Sequence, residues 1–371
     1  MMHKFYFESL DRSMRDILRF SNPLSFQLPF GGKPIVFGGD FRQILPVIPK
    51  GSRQDIVHAT INSSYLWRHC TVLRLTKNMR LRNLASDEDG DEIKRFSDWI
   101  SNIGDEKIEE TNDGYAEIDI PNEMLLKDID DPIATIVKNT YPLFGSTVCD
   151  TTYFQQRAIL APTLDVVQSI NEYMISMNNS EGRVYLSSDS ACHSDRNVDL
   201  LNDVHTPEFL NGIRCSGVPN HELNLKVGTP VMLLRNIDHS LGLCNGTRLV
   251  ITRLGNHVLE GKILTGNNAG HKVLIPRMSL TPSNPRLPFK FQRRQFPLIV
   301  SYAMTINKSQ GQSLSHVGLF LKKPVFSHGQ LYVAVSRVTN LKGIKILICN
   351  VDGSQKNSTT NVVFKEVFHN L

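Results

Sequence analysis

The segments QFPLIVSYAMTINKSQGQSL (residues 295–314) and HGQLYVAVSRV (residues 328–338) decide the fold. Each combines an apolar run with a polar turn that opens a helix. In the first, Ser309 and Gln312 have the three-residue spacing of a capping box. Strand and helix patterns that alternate in this way predict an α/β fold.

The same alternation is present toward the N-terminus. Arg157–Ala161 reads as a buried strand and is followed by a helical pattern, and Thr71–Leu75 continues an earlier block. Pro34–Phe37 is a short apolar run bounded by glycines, which predicts another buried strand. An amphipathic helix over Phe7–Leu18 precedes it. Two similar strand–helix blocks predict two α/β lobes.

Short apolar runs separated by Asn/Gly turns interrupt the second lobe. They cover residues 231–234, 249–251, 258–264 and 273–275. This spacing predicts a small β-barrel, and the α/β pattern returns at Pro297. The predicted divisions are a first lobe (1–82), an acidic helical and loop connection (83–150), a second lobe (151–180 and 297–371) and an inserted region (181–296).

Composition limits the class of protein. A length of 371 residues with 40% apolar content predicts two or three globular domains. The six cysteines form no C-x-x-C pair, which argues against a zinc site and favours a reducing compartment. Asp87–Asp131 holds 17 acidic and 4 basic residues, a charge of −13, so the remainder carries +18. A basic body of this kind indicates a nucleic-acid partner.

The loop Gly39-Asp40-Phe41-Arg42-Gln43 follows the predicted strand Pro34–Phe37. Ligands in open α/β sheets bind beyond the carboxyl ends of strands, and glycines let a backbone approach a phosphate closely. Gln43 both donates and accepts hydrogen bonds, so it is suited to sensing a γ-phosphate and its attacking water. The alternative is an ordinary glycine-rich turn.

The turn after the predicted strand in the first segment combines hydroxyl, amide and lysine side chains. A helix N-terminus of this composition is suited to a phosphate anion. The alternative is a well-capped helix without a ligand. The candidate residues are Thr305, Asn307, Lys308, Ser309, Gln310 and Gly311.

Two further arginines lie in similar contexts. Ser327 and Gln330 form a second predicted capping box, and the helix after them leads to Arg337. Arg80 closes the segment Leu75–Arg80. Arginine stays charged and offers a planar fork of donors, which suits phosphate contacts. The alternatives are a carboxylate partner for Arg337 and a solvated surface position for Arg80.

The end of the inserted region offers a basic and aromatic candidate DNA surface. Lys290, Arg293 and Arg294 are candidates for phosphate contacts, and Phe291 is a candidate for stacking on a base. For each of the four, a solvated or core position is the alternative.

Taken together, these segments resemble superfamily-one DNA helicases of the petite integration frequency type, which are relatives of the RecD helicases. Val36–Gln43 is similar to their central motif, and residues 305–312 and 327–337 are similar to their last two motifs. Gly242–Arg248 and Lys290–Phe296 are similar to parts of their inserted domain.

The resemblance implies RecA-like helicase lobes, the first one incomplete, with an SH3-like β-barrel insert in the second. It implies that Gln43, Arg80 and Arg337 act at the γ-phosphate of ATP bound with Mg²⁺. Gly39, Asp40 and Gly311 would line the same site. The turn after the strand, with the basic end of the insert, would contact single-stranded DNA.

The resemblance departs at the front of the chain. Relatives carry a phosphate-binding P-loop and an Asp–Glu pair for Mg²⁺ before the segment that resembles Met2-His-Lys-Phe5. None of the 371 residues forms a G-x-x-x-x-G-K-[ST] loop. The isolated chain is therefore expected to hydrolyse ATP negligibly, unless an upstream polypeptide supplies these motifs.

The function implied is ATP-driven 5′-to-3′ DNA unwinding in repair, recombination or telomere maintenance, in the nucleus or in mitochondria. Two alternatives stay open. One is a non-catalytic module that binds single-stranded nucleic acid, and the other is a helicase remnant of transposon origin.

Overall fold

The computed structural model describes residues 1–76, 87–107, 113–127, 130–145, 151–192, 206–215, 217–282, 289–349 and 357–369. The helices are α1 (Lys4–Leu18), α2 (Arg53–His58), α3 (Asp87–Asp105), α4 (Pro132–Thr140), α5 (Thr151–Gln155), α6 (Leu164–Met177), α7 (Pro207–Gly212) and α8 (Gln330–Val335). None of these described helices is long and apolar enough to cross a membrane.

The strands follow the same order along the chain. They are β1 (Tyr115–Asp119), β2 (Arg157–Ala161), β3 (Gly182–Leu186), β4 (Ser188–Ala191), β5 (Glu222–Lys226), β6 (Pro230–Leu233), β7 (Arg248–Leu254), β8 (Val258–Ile263), β9 (Lys272–Pro276), β10 (Met278–Leu280), β11 (Phe291–Gln295), β12 (Leu298–Val300), β13 (Ala303–Thr305), β14 (His316–Leu321), β15 (Ile344–Ile348) and β16 (Ser358–Val362).

The chain divides into two compact units. The first unit comprises Met1–Leu125, Leu321–Ile344 and Ile348–Leu371, and the second comprises Leu126–Phe320 and Lys345–Leu347.

In the first unit, α1 confirms the helix predicted over Phe7–Leu18, but its buried face is polar. Asp11 is fully buried, and its carboxylate accepts hydrogen bonds from the backbone nitrogen of Phe30 (2.5 Å) and the hydroxyl of Tyr65 (2.7 Å). Ile17, on the predicted apolar stripe, is 68% exposed. Hydrogen bonds to Asp11 therefore help to hold this helix, together with an edge-to-face contact of Phe7 with Phe37.

The strand predicted at Pro34–Phe37 is wrong. The segment is irregular, and the side chain of Val36 is 96% exposed. The segment Thr71–Leu75 is likewise irregular and exposed. A strand is stable only when a neighbour completes its ladder, and no strand of the described first unit pairs with either segment.

The remaining core of the first unit forms around α3 and a two-stranded antiparallel sheet. Strands β1 and β16 pair with Tyr115 opposite Val362. The predicted helix in the acidic region is confirmed as α3, which buries Phe96 and Ile103. The amide of Asn361 in β16 donates to the carbonyl of Ile103 (3.0 Å) and ties the sheet to the end of α3.

The second unit contains the parallel sheet that the sequence predicts. Its strand order is β13-β2-β14-β15, and β2 runs parallel to both β13 and β14. Helix α6 packs on β13 and β2 and buries Val166, Val167 and Ile170, as predicted. This part of the chain has the mixed α/β architecture expected from its strand–helix alternation.

The inserted strands are also present where they were predicted. They form a five-stranded antiparallel sheet in the order β12-β6-β7-β8-β9. The same region contributes a three-stranded sheet, β10-β11-β4, and the pair β3-β5. The register of β7 with β8 shifts between Ile251 and Arg253, which is a β-bulge.

One predicted capping box is wrong and the other is partly confirmed. Ser309 ends a 3₁₀ helix (Ile306–Ser309), where its hydroxyl donates to the Ile306 carbonyl (2.7 Å), and no α-helix follows before β14. Helix α8 does form after the second box. There the Gln330 side chain accepts a hydrogen bond from the Ser327 backbone nitrogen (3.3 Å), while Gly329 occupies the N-cap.

Candidate functional site

In the first unit, the carboxylate of Asp40 organises the loop that contains Gln43. One oxygen of Asp40 accepts from the backbone nitrogen of Arg42 (3.0 Å), and the other accepts from the Gln43 side-chain amide (3.3 Å). Gly38 and Gly39 are exposed, with open space where a side chain would begin. The backbone at Gly39 is therefore accessible to a ligand, while the Gln43 side chain is hydrogen-bonded to Asp40.

A bidentate ion pair anchors this loop to the end of α3. The Arg42 guanidinium donates to both carboxylate oxygens of Asp105, at 2.5 and 3.0 Å. Gly104 leaves room for it, because a Cβ there would lie 2.7 Å from Arg42 Cδ and 2.8 Å from Tyr332 Cδ2. A planar guanidinium matched to a carboxylate fixes direction as well as distance.

Helix α8 and the residues before it contact the same loop. The buried His328 donates from Nε2 to the Phe41 carbonyl (2.8 Å), and its Nδ1 accepts from the Phe364 backbone nitrogen (2.8 Å). The Tyr332 hydroxyl donates to Asp40 Oδ2 (2.9 Å). Burial, reinforced by the Asp40 charge, raises the pKa of Tyr332 to about 12, so this donor keeps its proton.

Arg337 lies just beyond the other end of α8. It is almost fully buried, its Nε donates to the Val333 carbonyl (2.8 Å), and one terminal nitrogen donates to the Ser336 hydroxyl (2.9 Å). The six-residue helix spans about 9 Å, so the first unit places Gln43 and Arg337 near opposite ends of one helix. Arg80 lies outside the described residues.

Gly329 has no room for a side chain. Its φ is +72°, and a Cβ would overlap the Arg42 carbonyl oxygen and lie 2.7 Å from the Gln43 carbonyl carbon. We expect Gly329→Ala to lower the free energy of unfolding by about 3 kcal/mol, from left-handed strain and overpacking together. Chemical denaturation measures this loss.

Gly228→Ala is the matched control for that substitution. Gly228 also has a positive φ of +83°, but no atom lies within 4 Å of its would-be Cβ. It should show only the conformational cost of about 1–2 kcal/mol. Equal losses in the two variants would contradict the close packing of Gly329 on the loop.

In the second unit, the residues of the first sequence segment lie at the carboxyl edge of the parallel sheet. Thr305 ends β13, in register with Ala161 at the end of β2. Asn307 is exposed, Ser309 is buried, and Gly311 has a φ of +81°. The buried Ser309 hydroxyl bonds within the turn, so Ser309 stabilises its shape, while Thr305, Asn307, Lys308 and Gln310 are partly or fully exposed.

The amine of Lys308 lies in a partly desolvated environment. Its side chain is half-buried, and burial followed by the nearby charge of Arg235 lowers the pKa of the Lys308 amine. Two neighbouring cations repel each other, and an anion placed by them would relieve that repulsion. This charge arrangement is compatible with a phosphate contact at Lys308.

Two of the predicted DNA contacts in β11 are wrong. Phe291 is fully buried against Leu210 and Cys215, so its ring cannot stack on a base. Arg293 is 1% exposed and forms an ion pair with Asp189 (2.6 Å). Because successive strand residues face opposite sides, the same alternation leaves Lys290 and Arg294 exposed.

Sequence reasoning missed several residues that shape these sites. In the sequence, His328 and Tyr332 are only parts of a helix start, and Asp105 is one charge of an acidic run. Asp189 carries no signal in the sequence, because its partner Arg293 is 104 positions away in the chain, although the two strands pair in the fold. The glycine before α8 is the one available clue to a close backbone approach.

Comparisons with known proteins show similarity to one helicase family. Residues 1–114 match a family model described as PIF1-like helicase, and residues 208–254 match one described as DNA helicase Pif1, 2B domain. The ATP-dependent DNA helicase PIF1 of Danio rerio is 25% identical over 374 residues, covering 99% of this chain and 48% of that protein. Its counterpart in Xenopus laevis is 27% identical over 328 residues, covering 86% and 41%.

Thus the chain spans less than half the length of either curated relative. Among solved structures, a Pif1 helicase from Bacteroides in complex with ADP-AlF3 and single-stranded DNA superposes with a TM-score of 0.61 at 20% identity. The match covers 98% of this chain and 70% of that one. At this identity the likeness is one of fold.

Proposed function

The chain belongs to the Pif1-like helicase family, and on that premise we propose that it is part of an ATP-dependent DNA helicase. Gln43 and Arg337 would act at the γ-phosphate of ATP, together with Arg80. Gly39 and Asp40 would line the nucleotide site. Thr305, Asn307, Lys308 and Gln310 would contact single-stranded DNA, with Ser309 shaping their turn.

The observation that carries the proposal is the junction between the Gln43 loop and α8. Asp40 accepts hydrogen bonds from both Gln43 and Tyr332, and Tyr332 lies on the helix that leads to Arg337. Phosphoryl transfer is catalysed mainly by positioning and by charges aimed at the transferring group. A glutamine in a loop that is bonded to α8, and an arginine that directly follows the end of α8, are suited to that task.

DNA binding by the second unit is argued from charge and exposure. Lys308 and Arg235 are neighbouring cations, and the exposed Lys290 and Arg294 share one face of β11. The Bacteroides Pif1 helicase was solved in complex with single-stranded DNA and ADP-AlF3. For this chain we propose the same two ligand classes, with Mg²⁺ accompanying ATP.

Finer features of the proposal follow from the family. They are 5′-to-3′ polarity, a role in repair, recombination or telomere maintenance, a nuclear or mitochondrial location, and an SH3-like shape for the inserted sheet. An upstream polypeptide would supply the phosphate-holding loop.

Lys308→Ala tests the DNA contact. Binding of a fluorescent oligothymidylate is measured by anisotropy at several salt concentrations. We expect weaker binding, and a slope of log affinity against log salt reduced by about 0.7, the value for one single-strand phosphate contact. Lys138→Ala, an exposed lysine on α4, is the control and should keep the full slope.

An unchanged slope in Lys308→Ala would contradict the phosphate contact, and no binding by the wild type would contradict DNA as the partner. The same titration separates the helicase from a non-catalytic binding module. When the phosphate-holding loop is supplied together with the chain, a helicase is expected to change its DNA affinity by roughly fivefold or more on addition of ADP and aluminium fluoride. A simple binding module would show equal affinities.

A further inference from the structure

One hydroxyl group joins two elements that the proposed reaction would need to move together. The Asp40 carboxylate accepts three hydrogen bonds, from the backbone of Arg42 (3.0 Å), the side chain of Gln43 (3.3 Å) and the hydroxyl of Tyr332 (2.9 Å). The first two donors belong to the loop itself. The third belongs to α8, so Tyr332 is a side-chain bridge from that helix to the carboxylate that orients Gln43.

The surroundings of Tyr332 hold its ring in place. The ring packs over Gly104 at the end of α3, where any larger residue would collide with it. Arg42 lies alongside and is fixed by both oxygens of Asp105. The Tyr332 ring belongs to α8 and the Asp40 carboxylate belongs to the loop. The hydrogen bond between them therefore depends on the position of α8 relative to the loop.

The position of Tyr332 in the helix gives the link a direction. Its carbonyl accepts from the Ser336 backbone nitrogen (2.9 Å) in the last turn, and Arg337 follows directly. A shift of Gln43 toward a γ-phosphate would move the Asp40 carboxylate. Through its hydrogen bond the carboxylate would move Tyr332, and with it the last turn of α8 that presents Arg337. Coupling between sites is physically warranted where one element has two arrangements that both sites bias.

We propose that Tyr332 is a positioning residue whose hydroxyl, through Asp40, couples the Gln43 loop to the helix that presents Arg337. This inference deepens the proposed function and rests on it for the role of the nucleotide. Tyr332 would touch neither ATP nor DNA. Its contribution is to make the two phosphate-sensing side chains respond as one.

The first test measures amide hydrogen exchange of the full chain without nucleotide, in the wild type and in Tyr332→Phe. We expect exchange at the Arg42 and Gln43 amides to accelerate about tenfold, the factor for losing a hydrogen bond to a charged acceptor. The Ser336 amide should keep its rate, because its own acceptor is the Tyr332 backbone. Unchanged exchange at Arg42 and Gln43 would overturn the proposal.

Two further variants make this test specific. Asp40→Asn removes the charge of the acceptor and leaves the packing of the Tyr332 ring intact. If Tyr332→Phe accelerates exchange throughout the first unit, Asp40→Asn still tests the hydrogen bond between Tyr332 and Asp40. The double variant should exchange no faster than the faster single variant, since both substitutions break one link. Additive effects would overturn the link. Tyr6→Phe, an exposed tyrosine on α1, controls for loss of a hydroxyl elsewhere.

The second test adds ADP and aluminium fluoride as the probe, with the phosphate-holding loop that the proposed function requires supplied together with the chain. In the wild type, we expect slower exchange at Gln43 and Ser336 together, and in Tyr332→Phe at Gln43 alone. Joint slowing in Tyr332→Phe would overturn the coupling. No response in the wild type would count against the proposed nucleotide site, and the nucleotide-free comparison would still decide the role of Tyr332.

Discussion

Replacing Arg293 with alanine is expected to lower the free energy of unfolding by about 3–5 kcal/mol, the usual loss when one partner of a buried ion pair is removed. The substitution would leave the Asp189 carboxylate buried without its cation, since both side chains are at most 1% exposed. It would also remove donors from the carbonyls of Leu210, Ile213 and Pro219. Urea denaturation followed by circular dichroism measures the effect.

The neighbouring residue on the same strand is the matched control. Arg294 has the same chemistry but faces solvent, so Arg294→Ala should change stability by no more than about 0.5 kcal/mol. If Arg293→Ala kept full stability and lost DNA binding, the phosphate contact first predicted for Arg293 would be right and its structural role wrong. Comparing Arg293→Ala with Arg294→Ala therefore distinguishes a structural role of Arg293 from a role in DNA binding.

Lowering the pH from 6.5 to 4 is expected to destabilise the first unit by about 3 kcal/mol through His328 alone. Burial lowers the pKa of His328 from 6.5 to about 4. Between pH 6.5 and 4 the His328 ring is protonated in the unfolded chain but neutral in the folded chain. The contribution of His328 to the free energy of unfolding is therefore fully present above pH 6.5 and is lost as the pH falls. A protonated ring would also direct a second N–H at the Phe364 amide.

The measurement compares denaturation of the wild type and His328→Gln across this pH range. Glutamine keeps a donor and an acceptor without titrating, so the stability of the wild type relative to the variant should fall by about 3 kcal/mol between pH 6.5 and 4. A constant difference would show that folding does not lower the pKa of His328. His58→Gln, at an exposed histidine in α2, controls for the substitution itself.

The sequence predicted elements whose stability is decided locally or by a strong periodic pattern. Strand β2 and helix α6 form as predicted because apolar residues at their own periods face one core. The strands of the insert were predicted from their Asn/Gly turns, which fix where a chain reverses. Helix α3 could be predicted inside an acidic region because Phe96 and Ile103 are spaced to lie on one face of a helix.

What could not be predicted depended on partners distant in the chain. Val36 belongs to an apolar run, yet no described strand of its unit pairs with it, so it is exposed. Alternation in β11 separates Arg293 from Arg294, but only the fold tells which of the two faces the core. The Tyr332–Asp40 contact joins residues almost 300 positions apart, and no local pattern encodes it.

The exposed, irregular course of residues 71–76 makes this stretch a ready substrate for proteases. Proteases bind their substrates as extended strands, and they cut most easily where backbone is accessible and unpaired. Leu73 and Leu75 are 87% and 102% exposed, so an enzyme that prefers large apolar residues would find its recognition side chains already presented. Limited digestion is therefore expected to begin here, well before the sheets of the second unit are opened.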